Sequence, residues 1–281
     1  MSRKKIIGYL LMMLGICLPL YLLTQLSMSF IQNKMAYEKY QSHKLTSEEI
    51  QTEQEKIDDY NNQLLGKEVS VVDPFATDEF QIDYQIMDNP DAIFAYINIP
   101  SLNILEPIYL GASDYHLGIG TAHIDGTSLP VGGMDQRSVI AGHRGYYENF
   151  MFWSLGDLQP GDKIYIERNN EELVYEVSDT EVIDPSEWQK LAPIEGRDML
   201  TLLTCEPFLP PRYQRLLVNC DRVYPEETPL DTPSEELATK DDTHPVLHQQ
   251  AKILRNVVWS ITAFSWVLLL VVFKKFYQYV H

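Results

Sequence analysis

A cysteine stands at the end of the run Thr201-Leu202-Leu203-Thr204-Cys205, with an acid and a proline behind it. A thiol does covalent chemistry as the thiolate, so it needs a proton acceptor or a cation nearby. Its attack on a carbonyl also needs a donor to hold the oxyanion that forms. Two other residues supply these types at suitable addresses. His143 closes the run SVIAG and precedes Arg144-Gly145, where a strand enters a loop. Arg215 opens RLLVNCDRV, and alternation puts Arg215, Leu217 and Asn219 on one face of that strand and Leu216, Val218 and Cys220 on the other. If this strand pairs antiparallel with MLTLLTC, Arg215 lands near the Cys205 end of the hairpin. An arginine there is a candidate guanidinium donor for the oxyanion. Taken singly, His143 also fits a strand-edge histidine and Arg215 a surface charge. The remaining histidines have weaker cases, His116 and His123 in a Gly-rich loop and His43, His244, His248 and His281 in polar arms or tails.

The compartment sharpens this reading. Ile6 to Phe30 carries no charge and follows Arg3, Lys4 and Lys5, while Val257 to Phe273 carries none and precedes Lys274 and Lys275. Each is long enough to cross a bilayer as a helix, which takes roughly 17 to 25 residues. The cationic flanks put both termini in the cytoplasm and the middle outside. Cleavage of the first segment as a signal peptide, at the small-residue pattern Ser27-Met28-Ser29, is the alternative, and it leaves the middle exported as well. The formal charge of −18 becomes −23 for the middle once the five terminal cations are set aside, which argues against a nucleic-acid partner. Outside the cell cysteines usually pair, and a Cys205 to Cys220 bridge is one reading. An exposed thiol kept free points instead to catalysis.

The elements that must position these residues read as follows. Residues 31 to 68 form a polar juxtamembrane arm, with a capping box at Thr46 and Glu49 ahead of a helix running to about Leu65. From Val69 onward, short β-rich runs separated by turns dominate, notably FAYINIPSLNILEPIYL (94 to 110), SVIAGH, DKIYIE, ELVYEVSDTEVI, MLTLLTC and RLLVNCDRVY. Many short strands with few helices predict a mainly β barrel or sandwich. The acidic, proline-bearing stretch EETPLDTPSEELATKDDT reads as a linker to the second apolar segment.

Three of these segments together resemble one family. TLLTC matches the TLxTC signature of sortases, AGHRG the surroundings of their histidine, and RLLV the strand that carries their arginine. GTSLPVGGMDQRSVIAGHRG (126 to 145) is similar to class C, the pilus-assembling sortases of Gram-positive bacteria, and Asp73-Pro74-Phe75 resembles their N-terminal lid. The resemblance covers roughly residues 69 to 224. It implies a closed sortase-like β-barrel with short helices, an N-terminal helical arm and a transmembrane helix at each end. The division is then 1–5 cytoplasmic, 6–30 transmembrane helix or signal anchor, 31–68 arm, 69–83 lid, 84–226 barrel, 227–256 linker, 257–273 transmembrane helix and 274–281 cytoplasmic tail.

The resemblance also implies roles. Cys205 is the nucleophile, His143 the general acid and base, and Arg215 the holder of the substrate carbonyl and its oxyanion. Asp73 pairs with the arginine and Phe75 covers the cysteine when no substrate is bound. The reaction is cleavage of an LPxTG-like sorting signal and transfer of the acyl group to a pilin lysine, with no metal and no organic cofactor. The partners are pilins that carry the signal and an acceptor lysine. Two alternatives remain, a wall-anchoring sortase resolved by a peptidoglycan-precursor amine and an inactive membrane-anchored scaffold. The chain also departs from the class pattern: Glu206 follows Cys205 where a small polar residue is usual, and the loop LPPRYQR is one residue longer, which makes Arg212 a rival to Arg215.

Overall fold

The computed structural model describes residues 3–42, 45–75, 85–145, 151–169, 171–224 and 245–280. Two helices come first, α1 (Arg3–Ser42) and α2 (Ser47–Leu64). The apolar segment and the first part of the polar arm form one uninterrupted helix, with Pro19 its only internal proline. Nothing between Pro19 and Ser42 breaks helical hydrogen bonding, so the change from apolar to polar alters what the helix faces and not its course. Thr46 caps α2 through the reciprocal bonds of a capping box with Glu49.

Eight strands follow: β1 (Ala95–Ile99), β2 (Ile104–Leu110), β3 (Thr121–His123), β4 (Gln136–Ala141), β5 (Lys163–Arg168), β6 (Glu171–Ile183), β7 (Asp198–Glu206) and β8 (Gln214–Val223). A short helix, α3 (Asp114–Ile119), lies between β2 and β3, and α4 (Pro245–Val280) ends the chain. The strands close into a barrel in the order β1-β2-β3-β4-β7-β8-β6-β5. The run from 94 to 110 is a hairpin rather than one strand, because Pro100 starts a helical turn and Asn103 takes a left-handed conformation at φ 54°. Of the two β architectures left open by strand pattern, the chain adopts the barrel.

Strands β7 and β8 are buried on both faces. Leu200, Leu202, Leu216, Val218 and Cys220 point into the barrel, while Leu203 and Leu217 belong to a second apolar cluster outside it. Val69, Val71, Phe75 and Trp188 pack against that outer cluster. Ile57 of α2, fully buried, joins the barrel core, and Asn61 beside it receives a bond from Leu129 N at 2.9 Å and donates to Gln136 at 3.1 Å. α2 is thus fixed to the barrel, and the extended segment that follows it is delivered to the outer face of β7 and β8.

The end helices pack antiparallel. Ser27 and Thr262 hydroxyls meet at 3.1 Å, Trp266 Nε1 donates to Thr24 Oγ1 at 3.1 Å, and Tyr9 contacts the rings of Phe276 and Tyr279. Hydroxyl pairs of this kind tie helices together where water is absent.

Candidate active site

The β7–β8 register sets Cys205 directly opposite Arg215. Both side chains lie on the outer face, since Leu203 and Leu217, two residues inward along each strand, belong to the outer cluster. β4 runs parallel to β7 with Ala141 level with Leu203, so His143 and Cys205 leave the sheet side by side. Gly142 N continues the pairing by donating to Leu203 O at 3.0 Å.

The segment after α2 closes over this face. Arg215 donates Nε to Asp73 Oδ1 at 3.1 Å and Nη2 to Asp73 Oδ2 at 2.6 Å, while Nη1 donates to the carbonyls of Gln214 at 2.7 Å and Arg212 at 3.2 Å. Asp73 Oδ1 also accepts from Phe75 N at 3.1 Å, a turn that orients the aromatic ring. That ring sits between two groups, 5.3 Å from the His143 ring and 5.3 Å from the Arg215 guanidinium carbon. Residues 76–83, the rest of the expected lid, lie outside the described residues.

Burial sets the ionisation of this closed arrangement. The Cys205 thiol is only 6% exposed, against the sequence-based expectation of an exposed group, because its strand is covered on the outer face as well as the inner. Burial pushes its pKa up, and the charges of Arg215, Arg212 and Arg144 oppose that rise only in part. Burial pulls His143 down to about 4, and Arg212 adds to the effect. Thiol and imidazole are therefore both neutral here at neutral pH. Of the two rival arginines, Arg215 stands in the ladder opposite Cys205, and Arg212 lies in the loop with Nε on Phe208 O at 3.3 Å.

Cys205 and Cys220 are free thiols, which removes the disulfide reading. They point to opposite faces of the hairpin, Cys220 inward and Cys205 outward. A sortase domain family matches residues 97–223. The chain is 43% identical to Sortase C-3 from Streptococcus pneumoniae, with a TM-score of 0.63 over 68% of this chain and 90% of that one. It is 31% identical to Sortase C2 of Group B Streptococcus Pilus Island 1, with a TM-score of 0.59 over 64% of this chain and all of the other. The chain belongs to the sortase family.

A more distant relative of this sortase is Sortase A of Bacillus anthracis, 27% identical over 61% of this chain and 78% of that one. The sortases are cysteine transpeptidases, and this chain is such an enzyme; its likeness among solved structures is to class C. Other histidines of the sortase are held by the scaffold. His116 bonds Gly111 O at 2.7 Å and Asp91 at 3.1 Å and stacks on Tyr109, while His123 is buried on the Thr127 and Ser128 carbonyls. His43, His244 and His281 lie outside the described residues. No group of three or more metal-ligating side chains is found among the described residues.

Sequence reasoning named Arg144 and Glu206 as neighbours of His143 and Cys205 but gave neither a role at the site. Arg144 is buried against Cys205 and is ion-paired with Glu206. The available signal was position, since each directly follows a singled-out residue at the end of what became parallel neighbouring strands.

Proposed function

We propose that this sortase polymerises pilin subunits. The observation that carries the reading is the arrangement on the outer face of β7 and β8: Arg215 opposite Cys205, gripped by Asp73, with Phe75 between Arg215 and His143. It suits a transpeptidase closed by its own chain until substrate arrives, and the likeness to Sortase C2 of a pilus island supports the same assignment.

In this reading the lid first withdraws, which frees Arg215 for the substrate carbonyl. Hydration then rises around Cys205 and His143, and the thiol passes its proton to the imidazole. The thiolate attacks the Thr–Gly carbonyl carbon of an LPxTG-like signal, and Arg215 holds the oxyanion. His143 gives its proton to the departing amine as the C–N bond breaks, leaving a thioester on Cys205. A lysine amine of the next pilin attacks the thioester, its proton returns by way of His143, and the thiol is released as the isopeptide bond forms. Shielding of the thioester from water favours the amine over hydrolysis.

The two end helices are long and apolar enough to cross a membrane. The apolar run of α1 follows Arg3, Lys4 and Lys5 and precedes Lys34 and Lys39, and that of α4 lies between Lys252 and Arg255 on one side and Lys274 and Lys275 on the other. In this reading the Arg3-Lys4-Lys5 cluster keeps the N-terminus cytoplasmic, the first span puts the barrel outside, and the second span returns the C-terminus to the cytoplasm. Co-incubation with candidate pilins, followed by mass spectrometry of cross-linked peptides, tests the function. A Lys–Thr isopeptide product that depends on Cys205 is expected. Transfer only to a peptidoglycan-precursor amine would overturn the pilin reading in favour of wall anchoring.

A further inference from the structure

Beyond the last rung of the parallel β4–β7 ladder, Ala141 beside Leu203, the two segments remain tied. Gly142 N donates to Leu203 O at 3.0 Å, and Thr204 Oγ1 donates back to Gly142 O at 2.8 Å. Arg144 Nη1 then donates to Cys205 O at 3.1 Å and pairs with the Glu206 carboxylate. These ties bracket His143 on one segment and Cys205 on the other.

Arg144 is a costly residue to place there, being only 7% exposed. Gly156 leaves room for it, since a Cβ at that position would come within 2.9 Å of Arg144 Nη2. The ring of Phe208 lies 5.2 Å from its guanidinium carbon, and Trp153 meets Phe208 edge-on at 4.7 Å. A buried guanidinium keeps its charge and requires a compensating carboxylate. Among the described residues Glu206 is the one carboxylate within ion-pair distance of it, and Arg144 Nε has no hydrogen-bond partner. The acid after Cys205 therefore matches the buried arginine after His143.

We propose that Arg144 and Glu206 are a positioning pair, holding the His143 loop and the Cys205 loop at the separation that proton transfer between the two residues requires. The inference rests on the reading of Cys205 as nucleophile and His143 as its acid–base partner. Neither member of the pair touches reacting atoms in this arrangement. The Cys205 carbonyl and the Glu206 carboxylate share the same Arg144 nitrogen, so a shift of the arginine moves the backbone that carries the thiol. Small displacements of reacting groups cost rate far more than they cost binding.

The test uses the full chain in detergent micelles, a fluorogenic LPxTG-type peptide and a soluble primary amine. The variants are Arg144→Lys, Arg144→Gln, Glu206→Gln and the Arg144→Gln, Glu206→Gln double, each normalised to titratable Cys205. Every single change is expected to lower kcat by about 10-fold or more with KM altered less than about 3-fold. The double is expected to cost no more than the worse single, because both then disrupt one unit. Arg144→Lys keeps the charge and loses the planar fork, so it is expected to fold and still lose kcat. Wild-type kcat in Arg144→Lys, a change confined to KM, or multiplicative losses in the double would overturn the pair. Turnover retained in Cys205→Ala would instead overturn the reading on which it rests.

Discussion

Asp73 and Arg215, 142 positions apart in the chain, meet as a two-point ion pair with N–O distances of 3.1 and 2.6 Å. Both side chains are at least nine-tenths buried, so the pair is strong when made and costly to leave half-made. Replacing Asp73 and Phe75 together by alanine removes one charge-assisted contact and one aromatic cover, about 1 to 3 kcal/mol on typical scales. Alkylation of Cys205 is expected to accelerate by roughly ten- to a hundredfold, at about 1.4 kcal/mol per decade. An unchanged alkylation rate would show that the Asp-Pro-Phe turn does not control access.

The nucleophile assignment is tested by comparing two cysteines on opposite faces of one hairpin. Cys205→Ala is expected to abolish both thioester and cross-linked product while the barrel melts near its original temperature. Cys220→Ala should keep activity and lose about 1 kcal/mol, the scale of a methyl-sized deletion from a packed core. Product formation by Cys205→Ala would end the covalent mechanism.

Arg215 and Arg212 separate by geometry. Arg215→Lys preserves charge but cannot keep two parallel bonds, so turnover is expected to fall by about 10²-fold or more, as on loss of an oxyanion donor. Arg212→Lys, changed in the loop rather than in the ladder, should cost far less. Steady-state kinetics showing the reverse order would make Arg212 the oxyanion donor.

His143 links the closed state to pH. Its value of about 4 lies below the ordinary 6.5. An open or unfolded form thus binds the proton more readily, and closure is fully favoured above about pH 6.5 and weakens as pH falls toward 4. Phe75→Ala should hydrate the ring and raise its pKa, read from the imidazole proton resonances. A midpoint that stays near 4 in this variant would remove Phe75 as a source of the shift.

Some of this was written in local chemistry. The two uncharged runs, the capping box at Thr46, and the alternation that separates Arg215 from Cys220 are decided by neighbouring residues alone, because helix and strand periods are local properties. The motifs around Cys205, His143 and Arg215 marked the family for the same reason: each is a short contiguous string. Local pattern did not decide between barrel and sandwich, because closure depends on β1 finding β5 across the whole sheet. Nor did it show that the thiol is covered. The outer face of β7 becomes a second interior only when Val69, Val71 and Phe75 fold back onto it, a contact between distant parts of the chain. Nor could local pattern pair Arg144 with Glu206, 62 positions apart, before β4 and β7 lie parallel. The sequence by itself determined which residues could react; the tertiary structure decided which are buried and which are paired, since burial and pairing depend on what the rest of the chain brings against them.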